Sequence, residues 1–181
     1  MQFTLLFFMQ GSLVLASIIV SKEATTEGEV ARNHHMTDIC FNLLWANHPY
    51  PSKPCDENSF PNQCAIRMGV ALEKSSIDTS SFDSMYPNRR CYSGFKHSPR
   101  HILAAQELAN WMKSKKNIFG NAGIYQKVSS KDFINIKGIV FIKNGWGSTD
   151  HIDLWNGVAM KGGFPVYFSL GQEIWFWELT K

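Results

Sequence analysis

Residues 60–73, Phe60-Pro61-Asn62-Gln63-Cys64-Ala65-Ile66-Arg67-Met68-Gly69-Val70-Ala71-Leu72-Glu73, decide how this chain is read. A loop rich in Pro, Ser and Asn over 49–62 gives way to a run in which residues 64, 68, 71 and 72 fall on one side of a helix. Cys64 therefore stands in a helix's first turn. The unpaired N–H groups and partial positive charge there favour the thiolate. Those N–H groups also suit the oxyanion that forms when a thiolate attacks an amide carbonyl. Taken alone, such a cysteine equally fits a buried small residue or half of a disulfide.

A partner lies downstream in Asp150-His151-Ile152-Asp153-Leu154-Trp155-Asn156-Gly157. Period-two alternation puts His151, Asp153 and Trp155 on one strand face and Ile152 and Leu154 on the other. An imidazole on a strand, facing a helix that begins with Cys, makes a papain-like pair: His151 accepts the thiol proton and later protonates the leaving amine. Asp153 is the first candidate to orient His151, although it sits about 7 Å along the strand. A solvated strand residue or a partner for Arg67 are its other readings, and Asn156 is a weaker substitute.

Arg67, one turn beyond Cys64, fits a role in lowering the thiol pKa, in holding substrate carboxylates, or in a structural salt bridge. Trp146 and Trp155 are candidates to line a substrate groove, with plain packing as the alternative. His34, His35 and His48 flank turns or linkers, and His97 and His101 bracket a helix start. No His pair has compact ligand spacing joined to cysteines, so neither a metal nor a cofactor is expected.

Outward from these motifs, residues 38–45 read as a short helix ended by His48-Pro49 and Pro51. The stretch 75–97 reads as irregular. Ser98-Pro99 has the form of an N-cap and first turn, opening a helix through Met112. After Gly120 the pattern becomes strand-like at 138–142, 151–155, 166–168 and 174–177. Helices first and an antiparallel sheet afterwards is an α+β arrangement.

The chain's 181 residues suit one domain, and 44% hydrophobic content supports a packed core. Phe3 to Val20 is apolar apart from Thr4, Gln10, Ser12 and Ser17 and has no charge before Lys22, the pattern of a secretory signal. Residues 1–21 are therefore expected to be a signal peptide, 22–36 a linker and 37–181 the catalytic domain. Secretion without stable membrane association after cleavage follows. A formal charge of +3 is too small and scattered for a nucleic-acid surface. Of the four cysteines, Cys55 and Cys91 lie in irregular segments and form the preferred disulfide pair, with Cys40 expected as a helix-core thiol.

Three strings, Phe60-x-Asn62-Gln63-Cys64-Ala65-Ile66-Arg67-Met68, Gly138-Ile139-Val140-Phe141 with Gly145-Trp146, and His151-Ile152-Asp153-Leu154-Trp155-Asn156-Gly157, occur in an order and spacing that resemble one family. The chain is similar to type VI secretion amidase effectors of the fourth family, papain-like peptidoglycan amidases of the NlpC type. The resemblance covers roughly 41–179. It implies a papain-like NlpC-type fold with N-terminal helices packed on an antiparallel β-sheet. It also implies hydrolysis of the γ-D-glutamyl–meso-diaminopimelate bond in bacterial peptidoglycan, with Cys64 and His151 as nucleophile and base, and a cognate immunity protein as a partner. The family's third catalytic residue is an acid in the loop after the His strand, often between two cysteines; here 158–165 holds neither Asp nor Cys. A secretory signal, which machine-delivered effectors do not need, suggests a secreted, domesticated antibacterial homologue. A non-catalytic peptidoglycan-recognition protein on the same fold is the alternative, and a general secreted cysteine protease the third reading.

Overall fold

The computed structural model describes residues 39–91 and 100–179. The expected signal peptide, the linker and the Ser98-Pro99 helix start lie outside the described residues. Among the described residues, five helices come first: α1 (Phe41–Asn47), α2 (Cys64–Lys74), α3 (Ser81–Met85), α4 (Ala105–Ser114) and α5 (Lys116–Phe119). Four strands follow: β1 (Gly123–Tyr125), β2 (Gly138–Trp146), β3 (Thr149–Trp155) and β4 (Glu173–Glu178). All pairings are antiparallel, in the order β1-β4-β2-β3. This is the α+β fold that the pattern of helices and strands implies.

Alternation along the strands sends successive side chains to two apolar layers. Ile139, Phe141, Ile152, Leu154, Trp175 and Trp177 pack with Met68 and Leu72 of α2 and Leu108 and Met112 of α4. Val140, Ile142, Trp155, Ile174 and Phe176 join a second cluster with Phe133, Met160 and Phe168. Because β2 is buried on both faces, Gly138–Ile142 reads as an unbroken apolar run rather than an alternating one. β3 is left at the sheet's edge, with α2 packed against it.

Several local expectations change. Residues 166–168 form a 3₁₀ turn, Pro165–Ser169, instead of a strand. Proline's fixed φ suits the first turn, and Leu170 N–H closes it on the Tyr167 carbonyl. The helix expected from Ser98 begins at Ala105, because the chain before it is extended: Cys91 N–H donates to the His101 carbonyl and Leu103 N–H to the Arg89 carbonyl. A long-range bridge satisfies the backbone there, and no local signal announces it. Cys40 is exposed at the N-cap of α1 and is not a helix-core thiol. The 75–97 stretch carries α3, and β1 is a strand that the pattern did not foretell.

Candidate active site

The first turn of α2 is tied to the loop before it at two points. The Gln63 side-chain amide N–H donates to the Cys55 carbonyl at 3.0 Å and to the Phe60 carbonyl at 2.6 Å, while the Gln63 backbone carbonyl accepts the Arg67 N–H at 2.9 Å. Arg67 then reaches back, donating from Nε to the Ser52 carbonyl at 2.9 Å and from Nη2 to the Pro51 carbonyl at 3.3 Å. Its guanidinium also lies over the Tyr50 ring, 5.2 Å from the centroid. These bonds fix where Cys64 starts the helix.

The edge of β3 completes the site. In the sheet, His151 pairs with Ile142 of β2 and Asp153 with Val140. On the outer edge, the N–H of Ile152 hydrogen-bonds the Cys64 thiol and the N–H of Leu154 donates to Asp153 Oδ1 at 2.8 Å. Donors that an edge strand would otherwise leave unpaired are thus used by the site.

Burial pushes the Cys64 thiol up, but the His151 hydrogen bond, the His151 charge and the N–H groups of Ile152 and Ala65 outweigh it and bring the pKa below its ordinary value. Burial likewise opposes charge on His151, yet hydrogen bonds to Asp153 and Cys64 and their charges carry it up to about 9. The two opposite shifts describe a thiolate–imidazolium pair. His151 Nε2 is 3.2 Å from Asp153 Oδ2, which leaves Nδ1 as the ring nitrogen for the thiol.

Asp153 is only 1% exposed. Its Oδ2 also accepts the Gly162 N–H at 2.8 Å, and its Oδ1 lies 3.5 Å from His48 Nε2. The loop after β3 supplies no acid; it supplies a donor to an acid already on the strand.

An open cleft of ≈ 440 Å³ lies over Cys64 and His151, with Asn62, Arg67, Trp146 and Tyr167 among its walls. The Tyr167 ring stands 5.3 Å from the His151 ring and 4.6 Å from that of Trp146, edge to face in both cases. Trp146 is held out by the tight β2–β3 turn, where Asn144 and Gly147 adopt positive φ and Asn144 N–H donates to Asp150 Oδ1 at 2.8 Å.

The structure therefore brings Cys64, His151, Arg67 and Trp146 together around one cleft, with Asp153 buried against His151. Trp155 is not among them: it lies buried in the second apolar cluster, its indole N–H donating to the Phe133 carbonyl at 2.8 Å. Its large apolar body is placed in that layer rather than over the groove. His48, Gly162 and Tyr167 are site residues that sequence reading missed. His48 ends a helix and Gly162 stands in a featureless loop, so neither had a local signal; Tyr167 was visible only as a strand residue.

A family model described as type VI secretion system amidase effector protein 4, Tae4, matches residues 60–177. The chain belongs to this family. The Tae4 match spans Cys64, Arg67, Trp146, His151 and Asp153 and starts after His48. Among curated proteins, none matches the chain in sequence. Solved structures are similar. The Tae4 effector from Enterobacter cloacae superposes with a TM-score of 0.61 at 18% identity, covering 77% of this chain and 96% of that one. The Tae4–Tai4 effector–immunity complex from the same organism gives 0.58 at 19% identity, covering 77% and 98%. Salmonella typhimurium Tae4, in its effector–immunity complex as a selenomethionine variant, gives 0.56 at 21% identity, covering 77% and 97%. At these identities the Tae4 structures establish the shared fold.

Proposed function

We propose that this Tae4-family amidase hydrolyses the γ-D-glutamyl–meso-diaminopimelate bond of peptidoglycan stems, as a DL-endopeptidase, by cysteine nucleophilic catalysis. The observation that carries the reading is the Cys64–His151–Asp153 chain beneath an open cleft, with the thiol pKa lowered and the imidazole pKa raised. The Cys64 thiolate attacks the γ-carbonyl, and backbone N–H groups at the start of α2 stabilise the oxyanion. The His151 imidazolium protonates the departing amine, leaving a thioacyl-enzyme. His151, now neutral, takes a proton from water as the water oxygen attacks the thioester; the γ-carboxyl leaves, giving its proton to solvent, and the Cys64 thiolate–His151 imidazolium pair is regenerated.

A γ-linked D-glutamate keeps its α-carboxylate free on the acyl side of the scissile bond, and the Arg67 guanidinium in the cleft wall suits it. Trp146 and Tyr167, packed ring against ring, also line the cleft. An acid held against His151 weighs against the non-catalytic recognition reading. The apolar N-terminus supports secretion and an antibacterial use, and an immunity protein like those bound to solved Tae4 effectors is the expected inhibitor.

Digestion of diaminopimelate-type sacculi, read by muropeptide mass spectrometry, tests the bond. The expected products are glycan-linked L-Ala-D-Glu and peptides with a free diaminopimelate amine. Cleavage at the lactyl–L-Ala amide instead would overturn this assignment.

A further inference from the structure

His48 stands on the far side of Asp153 from His151, and its surroundings are as closely built. It is the residue after α1, its N–H donating to the Leu44 carbonyl at 2.9 Å, so the helix end aims the ring inward. The side chains of His48 and Asp153 are each 2% exposed, and Nε2 faces Asp153 Oδ1 at 3.5 Å. The Tyr50 N–H points at His48 Nδ1 from 3.4 Å. A ring nitrogen that accepts a hydrogen bond carries no proton, so the proton of neutral His48 sits on Nε2, the nitrogen on the carboxylate's side.

We infer that His48 is a positioning residue for the reaction: as a neutral Nε2–H donor it holds Asp153 so that the opposite carboxylate oxygen stays on His151. This rests on the reading of Asp153 as the group that orients His151. Asp153 then has a donor on each flank, two imidazoles in different protonation states. Burial, with the charges of Lys161, Arg67 and His151, drives His48 down to about 4 despite the attraction of Asp153, so it stays uncharged where His151 is charged. Only one histidine of the pair competes for the proton.

His48 lies before the residues matched by the family model, and the loop after β3 offers only the Gly162 N–H to Asp153. A carboxylate on the same strand as its histidine must lean along the strand to reach it, and a second donor from α1 keeps it in that pose.

The full chain carrying His48→Gln, His48→Phe or His48→Ala is assayed on diaminopimelate-type muropeptides across pH, beside wild type and Cys64→Ala. Gln keeps a donor, whereas Phe fills the space without one. His48→Phe is expected to lose about ten-fold in kcat with KM within about two-fold. Its alkaline limb should move to lower pH, as His151, whose charge faces Cys64 and Asp153, loses its anchored carboxylate. His48→Gln should restore most of kcat and the limb, and His48→Ala should resemble Phe. The inference is overturned if Phe keeps wild-type kcat and profile, or if Gln is no better than Phe. If Cys64→Ala is as active as wild type, the underlying catalytic reading fails instead.

Discussion

His151 Nε2 and Asp153 Oδ2 lie 3.2 Å apart although the two residues are separated by one position on the same strand. The loop after β3 holds no acid, and in the proposed mechanism the strand itself provides the carboxylate that orients His151. Asp153→Asn keeps the shape and removes the charge, and the amide can face His151 with a donor, favouring the wrong tautomer. It is expected to lower kcat/KM by about 10²–10⁴-fold with the fold intact, measured by muropeptide release and circular dichroism. Wild-type kcat/KM in this variant would remove Asp153 from the mechanism.

The paired shifts of Cys64 and His151 set the pH response. The active ion pair needs a protonated imidazole, so kcat/KM should fall as pH rises through about 9, where His151 loses its proton. Iodoacetamide inactivation of Cys64 should show a matching change in rate. Because the folded His151 pKa is raised above its ordinary 6.5, its contribution to stability is complete below pH 6.5 and is lost as pH rises through about 9. A profile with its alkaline limb near 6.5 would contradict the pair.

Gly162 approaches Asp153 where a side chain has little room. A Cβ at this position would stand 3.2 Å from Tyr50 Cδ2 and 3.3 Å from Asp153 Oδ2. Gly162→Ala should therefore push the loop back, lengthen the N–H bond to Asp153 and lower kcat by about ten-fold, while KM changes less. Unaltered kcat would show that this loop does not position the acid.

Cys55 and Cys91 are both buried in a cluster with Ile66, and their thiols hydrogen-bond each other, with no disulfide joining them. Burial, together with Cys91, pushes the Cys55 thiol up, so neither the thiolate nor spontaneous exchange is favoured. We propose that an oxidising compartment joins them, with a dithiol–disulfide oxidant accepting the two electrons and both protons. Mass spectrometry of secreted protein alkylated without reductant should show a Cys55–Cys91 crosslinked peptide and labelled Cys64. Labelling of both Cys55 and Cys91 after unfolding would contradict this.

What sequence disclosed follows the physics of local signals. The helix opening at Cys64 and the alternation from His151 to Trp155 are periodic, and they located α2 and β3 and, on them, the candidate nucleophile and base. Alternation also placed Asp153 on the face of His151, but it could not show that the carboxylate leans along the strand. Trp155 shares that face and is nevertheless core, because the sheet is covered on both sides. His48 acts across 105 positions of chain from Asp153, a separation that no pattern reports. Val166-Tyr167-Phe168 reads as strand by composition, and only Pro165 hints at the turn that puts Tyr167 on the cleft wall.

The nucleophile is tested most directly by incubating diaminopimelate-type sacculi with wild type and with Cys64→Ala and comparing released muropeptides by mass spectrometry. Wild type is expected to release stem fragments cut after D-glutamate, and Cys64→Ala none above the enzyme-free control. Equal release by the two proteins would contradict the account.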